Sequence, residues 1–228
     1  MKELEYPFDS SFLLKKRRKL KKDLLADGSQ RMEKRIAVLG GSTTNDIISM
    51  LELFLLNCGI QPAFYQSEYA QYWQDAMFDN PELESFQPDL IFIHTTSRNI
   101  TEAPLPLSAS EQEVRDALER QFSHFSQMWE RLHEVYHCPI IQNNFELPST
   151  RLMGNRDAWD CHGMVWFIQE LNRKFGQYAA SHSDFYLHDL HYLAASYGLD
   201  AWHDDSYWYL YKYAMTLDAV PEFAYSLT

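Results

Sequence analysis

The sequence has no apolar run long enough to cross a membrane, and its first residues, MKELEYPFDS, lack the apolar core of a signal peptide. It has only three cysteines, Cys58, Cys138 and Cys161, and no Cys-x-x-Cys pair. An odd number of scattered cysteines predicts reduced thiols in a cytoplasmic protein. The 228 residues, 46% of them apolar, suit one large domain or one domain with an appendage.

Glycine is also scarce, with eight residues in the chain and none between Gly59 and Gly154. Two of the eight, Gly40 and Gly41, directly follow the apolar run at 36–39 and precede a helical pattern. This arrangement predicts a strand, a tight turn and a helix. Ser42 is then expected at the carboxyl end of the first strand, where α/β proteins place their ligands. No lysine follows these glycines, which excludes a P-loop.

Two interpretations of this turn remain open. In the first, Ser42 is a nucleophile exposed on a turn. In the second, the backbone from Gly40 to Thr44 forms a nest for an anion, and Ser42, Thr43 and Thr44 cap the following helix.

Charge is unevenly distributed along the chain. Residues 1–35 hold eleven Lys/Arg and six Asp/Glu, whereas the remainder holds nine Lys/Arg and 26 Asp/Glu. This excess of acidic residues in the body of the chain, residues 36–228, argues against nucleic acid as a partner. The basic cluster KKRRKLKK at 15–22 is expected on a helix from Ser11 to Ala26, as a solvated face that docks on the acidic body or on a neighbouring domain. Residues 1–34 are therefore interpreted as a basic helical extension to a domain at 35–228.

Short apolar runs alternate with longer amphipathic segments along the rest of the chain. This alternation predicts an α/β fold with three layers and a parallel sheet of about five strands covered by helices on both faces. Strands are expected at 36–39, 63–65, 89–95, 139–142 and 184–187, and helices at 11–26, 45–57, 68–78, 110–136, 159–180 and 192–197, with a helical tail from Trp202.

Three polar clusters follow strands at the same predicted edge of the sheet. They are Ser42, the tripeptide Ser97-Arg98-Asn99 and the tripeptide His203-Asp204-Asp205. Acyl transfer needs a nucleophile, a donor for the oxyanion, and a base held by an acid. Ser42, Asn99 and one aspartate supply three of these parts.

At this point the chain resembles the SGNH esterases, which carry a serine after strand one, an asparagine after strand three and a late Asp-x-x-His. It is more similar still to the N-terminal domain of FkbH-like proteins. The stretches that carry this resemblance are AVLGGSTTNDI, LELFLLNCGIQPAFYQSEYAQYWQD, NPELESFQPDLIFIHTTSRNI, IIQNNFELPSTRLMGN and GLDAWHDDSYWYLYK.

The resemblance implies a flavodoxin-like α/β/α fold and a place in polyketide or polysaccharide biosynthesis. FkbH-like proteins usually continue into a HAD-type phosphatase-like domain that loads a glyceryl group on an acyl carrier protein. The domain at 35–228 is then expected to position that carrier protein, or its acyl or glyceryl substrate. The HAD motif Asp-x-Asp-x-Thr is missing from this chain, and Asp189-Leu190-His191 does not fit it.

The esterase motif is incomplete. Its Asp-x-x-His falls on Asp204 and Tyr207, or on Asp205 and Trp208, so neither frame supplies histidine. A serine hydroxyl is a weak nucleophile without a base, and we therefore expect a degenerate esterase site. The alternative is an active esterase or acyltransferase that uses Ser42 and Asn99 with a substitute base. The substitute bases considered are His203 and His94.

The candidate site residues follow from this comparison. If the site is catalytic, the residues expected to act are Ser42, Asn99, Asp204, Asp205 and His203. The residues expected to bind substrate are Gly40, Gly41, Thr43, Thr44, Arg98, Tyr207 and Trp208. No cofactor and no metal are expected, although the peptide HEVYH, with His133 and His137, matches the zinc pattern His-Glu-x-x-His. We interpret that match as accidental, because no third ligand stands at a family spacing.

The aromatic residues of the tail admit three interpretations. They could line a ligand mouth, form the packing seam of the last helix, or be the face on which a following domain sits. Packing is favoured because the helical spacing is kept. The six residues are Trp202, Tyr207, Trp208, Tyr209, Tyr211 and Tyr213.

Overall fold

The computed structural model describes every residue from Met1 to Thr228. Its centre is a five-stranded sheet in which all neighbouring strands are parallel and the spatial order is β2-β1-β3-β4-β5. This order is that of flavodoxin-like proteins, which confirms the predicted α/β architecture. The strands are β1 (Met32–Gly40), β2 (Ile60–Gln66), β3 (Leu90–His94), β4 (Ile140–Asn143) and β5 (Phe185–His188).

Ten α-helices accompany the sheet. They are α1 (Ser10–Ala26), α2 (Asn45–Asn57), α3 (Tyr72–Met77), α4 (Pro81–Phe86), α5 (Glu111–Tyr136), α6 (Met164–Ser181), α7 (Leu190–Tyr197), α8 (Leu199–Trp202), α9 (Asp205–Tyr211) and α10 (Val220–Tyr225). Short 3₁₀ turns lie at Lys2–Leu4, Ser97–Asn99, Gly154–Ala158 and Leu217–Ala219. None of the helices is both long and apolar enough to span a membrane.

Strand β1 is buried on both of its faces, because alternate residues enter two separate apolar clusters. Ala37 and Leu39 belong to a cluster that contains core residues of α5 and α6. Ile36 and Val38 belong to a second cluster, built with α1, α2 and α10. This alternation follows from the two-residue period of a strand and produces the predicted three layers.

Helix α1 begins and ends close to its predicted bounds. Asp9 caps it by accepting the Phe12 N–H at 2.9 Å. Its apolar side joins the second cluster through Leu13, Leu20 and Leu24. Two of its cations pair with helix α2, Arg17 with Asp46 and Lys21 with Glu52. The basic cluster thus docks partly on the acidic body, as the charge distribution predicts.

Several boundaries differ from those predicted. Strand β1 begins at Met32, because residues 32–35, which are exposed and include three charged side chains, pair with β2. The helix predicted at 68–78 is shortened to α3, since Ala70 has a left-handed backbone, with φ of 59°, that does not fit an α-helix. Helix α6 begins at Met164, where the buried Asp157 carboxylate accepts the Val165 N–H at 2.8 Å. The predicted helical tail is interrupted at Asp204, whose side chain caps the N-terminus of α9.

The carboxyl edge of the sheet is fixed by buried amides. The Asn143 side chain accepts the Thr95 N–H at 3.0 Å and faces His94 Nδ1 at 3.1 Å. The Gln142 side chain donates to Thr95 Oγ1 at 2.9 Å. Because buried polar groups cost free energy unless they are paired, these contacts hold the loops after β3 and β4 in one arrangement.

Candidate functional site

The turn after β1 is too crowded for any side chain larger than hydrogen at two positions. A Cβ at Gly40 would lie 2.7 Å from Thr44 Cγ2, and a Cβ at Gly41 would lie 2.4 Å from Asn99 Oδ1. The Gly40 N–H donates to Ser67 Oγ at 2.9 Å, and the Gly41 N–H donates to the His94 carbonyl at 2.8 Å. The two glycines are therefore required by close approach of neighbouring atoms.

Asn99 lies against this turn, at the end of the 3₁₀ turn that follows β3. Its Oδ1 accepts the Thr96 N–H at 2.9 Å, and its Nδ2 donates to the Gly41 carbonyl at 3.1 Å. Thr96 in turn accepts the Arg98 N–H, which completes a capping box. The structure thus brings Asn99 to the residue before Ser42, at the edge where sequence reasoning places both.

Ser42 itself is only 2% exposed, and its Oγ has no hydrogen-bond partner. It contributes with Thr43 and Thr44 to the lining of a pocket of about 440 Å³, completed by Asn45 and by residues 66–69 of the loop after β2. Thr44 is the residue before α2, but its Oγ1 accepts from Gln66 Nε2 at 2.9 Å and does not cap the helix. Ser42 thus borders a pocket without a group to activate it.

Neither candidate base forms a hydrogen bond with Ser42 Oγ. His203 Nε2 lies 2.8 Å from the Leu147 carbonyl, an acceptor, so this nitrogen donates. Burial lowers the pKa of His203. His94 is fully buried, which lowers its pKa to about 4, and its Nε2 has no partner. Neither histidine is therefore positioned in the structure as a hydrogen-bonded base for Ser42 Oγ.

The two candidate aspartates also have other partners. Asp204 caps α9 by accepting the N–H groups of Ser206 and Tyr207. Asp205 pairs with the Arg98 guanidinium. Neither carboxylate orients an imidazole, which is the role of the acid in a catalytic triad.

Helix α9 is tied to the Ser42 turn through the backbone. Thr43 Oγ1 donates to the Tyr211 carbonyl at 2.7 Å, and the Thr43 N–H donates to the Lys212 carbonyl at 2.9 Å. The Tyr213 hydroxyl donates to Asp46 Oδ2 at 2.7 Å. The C-terminal segment thus lies beside the turn and connects it to the first turn of α2.

The predicted packing of the aromatic tail is wrong for α9, which contains no buried residue. Tyr209 and Tyr211 are exposed, whereas Trp202 in α8 is fully buried. Trp208 lies between two cations, with Arg98 Cζ 4.9 Å and Lys212 Nζ 5.7 Å from its ring centroid. Such contacts, together with the Thr43 bonds, hold α9 in place without core burial.

A second cleft, of about 310 Å³, is lined by residues of α9 and of the loops after β3 and β4. Arg98, His203 and Asp205 contribute to it, whereas Ser42 does not. A third, mostly apolar pocket includes Tyr207. The predicted site residues therefore share the carboxyl edge of the sheet but are distributed over separate pockets.

Sequence reasoning missed Glu146, in the loop after β4. Its Oε1 accepts the Ser97 N–H at 3.1 Å and the Ser97 hydroxyl at 2.9 Å, whereas its Oε2 has no partner. The side chain is completely buried, and this desolvation raises its pKa to about 7. Glu146 stands between the apolar residues Phe145 and Leu147, and this context, with the polar run Gln142-Asn143-Asn144 that begins within β4, is the signal that could have drawn attention to it.

The His-Glu-x-x-His pattern gains no support as a metal centre. The His133 and His137 rings lie 6.4 Å apart at 85°. The one group of three possible ligands within 4.8 Å is Asp160, Cys161 and His162. His162 Nδ1 is already 2.8 Å from Asp160 and its Nε2 is 2.9 Å from the Ala109 carbonyl. The absence of bound zinc stays a prediction.

Gly41→Ala is expected to destabilise the domain by about 1–3 kcal/mol, because its Cβ must displace the Asn99 side chain. Gly176→Ala is a matched control: nothing lies within 4 Å of that Cβ, and the exchange inside helix α6 should stabilise by about 0.5–1 kcal/mol. Urea unfolding measures both effects. Asn99→Ala should relieve much of the clash, so strictly additive effects of Gly41→Ala and Asn99→Ala would contradict the contact.

Comparisons with known proteins identify the family and the fold of the chain. The family model for the N-terminal domain of FkbH matches residues 35–228. A search of curated proteins finds no significant match.

Among solved structures, the chain is similar to the N-terminal part of BF1531 from Bacteroides fragilis, which contains a phosphatase domain and is complexed with Mg. The identity is 18% and the TM-score is 0.77, over 92% of this chain and 55% of that one. The chain thus spans about half of that protein. A GDSL-like lipase, BT0569 from Bacteroides thetaiotaomicron, matches with 14% identity and a TM-score of 0.44, over 92% of this chain and 93% of the lipase.

Proposed function

The chain belongs to the FkbH N-terminal domain family, and from that premise we propose that it is a non-hydrolytic positioning domain. It acts in the cytoplasm on an acyl carrier protein, or on the acyl or glyceryl group that the carrier bears. Its partner is a HAD-type phosphatase-like domain, in the same or a neighbouring polypeptide. BF1531, whose structure includes a phosphatase domain, provides a precedent for such an arrangement.

One observation carries the proposal: Ser42 Oγ is buried and has no hydrogen-bond partner. Ester hydrolysis by a serine requires a base that removes the hydroxyl proton. His203 contacts the Leu147 carbonyl, and the positions of the missing histidine hold Tyr207 and Trp208. Tyrosine is protonated at neutral pH and tryptophan has no basic nitrogen.

The remaining geometry suits binding. The pocket beside Ser42 is lined mainly by hydroxyl and amide groups, with one carboxylate, Glu68, and these groups can hold a carbonyl or hydroxyl without covalent chemistry. The cleft beside Arg98 adds a guanidinium and further hydroxyl groups at the same edge of the sheet. A short polar acyl group such as glyceryl fits this chemistry better than a long apolar chain does.

Hydrolysis of p-nitrophenyl acetate by the purified chain is expected to be no faster than that by its Ser42→Ala variant, because no base is in place. The assay compares initial rates at pH 7–8 with buffer alone as the reference. His203→Ala and His94→Ala serve as controls for a substitute base. Robust hydrolysis that disappears in Ser42→Ala and falls sharply in either histidine variant would make the chain an esterase.

A further inference from the structure

Helix α1 carries more positively charged side chains than form ion pairs within the chain. Seven of its residues from 15 to 22 are Lys or Arg, and no Asp or Glu occurs between Ser10 and Lys22. Arg17 and Lys21 pair with acids of α2. The other five are exposed and form no ion pair within the chain: Lys15, Lys16, Arg18, Lys19 and Lys22.

These five cations occupy one side of the helix. At about 100° per residue they fall within an arc of about 160°, on the side opposite the buried Leu13, Leu20 and Leu24. Phe12 lies within the same arc and is 39% exposed. Because its apolar side is packed on α2 and α10, the helix holds this cationic face rigidly towards solvent.

The arrangement has an electrostatic cost. Lys15 and Lys19, and likewise Arg18 and Lys22, are like charges four residues apart, which destabilises a helix by about 0.2–0.5 kcal/mol per pair. None of these four side chains forms an ion pair within the chain, and Asp23, four residues after Lys19, is the one acid of α1 on the same arc. An acidic surface laid against α1 would remove this repulsion.

We propose that the exposed face of α1 is a docking site for an acidic α-helical protein surface. From Lys15 to Lys22 the cations extend over about 10 Å, two turns that match acids at i, i+3, i+4 and i+7 of a partner helix. Phe12 supplies an apolar contact at one end of the face. The inference does not depend on Ser42 or on the proposed function.

Two other polyanionic partners fit less well. An amphipathic helix binds membranes by inserting its apolar side, and the apolar side of α1 is buried in the core. Duplex DNA would bring phosphates close to a body with strong negative charge, which opposes binding.

The test uses the full chain and a fluorescein-labelled, glutamate-rich helical peptide with acids at i, i+3, i+4 and i+7. Fluorescence anisotropy at low salt compares the wild type with a variant that carries Lys15→Gln, Lys16→Gln, Arg18→Gln, Lys19→Gln and Lys22→Gln. A control variant with the same charge change carries Lys34→Gln, Arg115→Gln, Arg120→Gln, Arg151→Gln and Arg173→Gln.

The α1 variant is expected to bind the peptide at least about tenfold more weakly than the wild type, and the control variant less than about threefold more weakly. The reason is that charges in direct contact with the peptide contribute more to binding than distant charges, which salt screens. Circular dichroism should be unchanged in both variants. Equal losses in the two variants would overturn the proposal. Tighter binding of a 24-base-pair DNA duplex or of phosphatidylserine vesicles than of the peptide would also overturn it, as would salt-sensitive self-association that the α1 variant abolishes.

Discussion

Glu146→Gln is expected to stabilise the domain at pH 8 by about 2–3 kcal/mol. The carboxyl group is fully buried, and this burial raises its pKa to about 7 from an ordinary value near 4.5. Each unit of pKa shift corresponds to about 1.4 kcal/mol between the folded and unfolded states. Glutamine has the shape of the protonated acid and keeps an oxygen that can accept from the Ser97 N–H.

The sign of the pH dependence follows from the raised pKa. The folded state binds the Glu146 proton more tightly than the unfolded state, so wild-type stability falls as the pH rises from about 4.5 through 7. The glutamine variant has no titrating carboxyl at this position, so it lacks this pH-dependent loss of stability. Urea unfolding should thus give similar free energies for the two proteins near pH 4.5 and separate them by pH 8.

Glu146→Ala provides the control. It removes the acceptor of the Ser97 N–H and hydroxyl, so it should destabilise the loop after β3 at low pH, where glutamine does not. A difference between wild type and Glu146→Gln that is the same at pH 4.5 and pH 8 would contradict the buried, titrating carboxyl.

Leu13→Ala is expected to cost about 2–5 kcal/mol of unfolding free energy, the usual range for a leucine removed from a core. Leu13 is fully buried in the cluster that α1 shares with α2 and α10. Leu25→Ala on the same helix is the matched control, because Leu25 is 47% exposed and its loss should change stability by less than about 0.5 kcal/mol.

Chemical unfolding monitored by tryptophan fluorescence measures both variants. A single cooperative transition shifted by Leu13→Ala would show that α1 unfolds with the sheet. Equal stability of the Leu13→Ala and Leu25→Ala variants would instead make α1 a loosely attached segment, which would also weaken the rigid docking face proposed for its cations.

Much of the architecture could be predicted from periodicity. The apolar run at 36–39 and its alternation between two clusters follow from one strand covered on both faces. Strand β1 could not be traced back to Met32, because residues 33–35 are charged and exposed and gain their strand conformation by pairing with β2. The break at Asp204 has a local signal, a capping aspartate, that the aromatic spacing of the tail obscured.

The candidate site was predicted less completely, because its decisive contacts join distant parts of the chain. Asn99 was expected near the Ser42 turn, since both follow neighbouring strands, and it contacts Gly41. His203 was considered as a base from its position beside two aspartates. The loop after β4 brings the Leu147 carbonyl to its ring instead, and no local pattern predicts that contact.

The burial of Glu146 also results from contact between parts of the chain that are distant in sequence. Its immediate neighbours, Phe145 and Leu147, are apolar, but the carboxyl itself is removed from water by the closure of that loop on the turn after β3. Side chains whose environment is made by tertiary contact cannot be recognised from composition.

The central claim is that Ser42 is not an activated nucleophile, and reaction with a fluorophosphonate probe tests it most directly. The probe forms a covalent adduct with a serine whose proton is removed by a base. Intact-mass spectrometry after incubation at pH 8, followed by peptide mapping, locates any adduct. We expect no more adduct in the wild type than in Ser42→Ala, whereas near-stoichiometric labelling of Ser42 that Ser42→Ala abolishes would show an activated nucleophile.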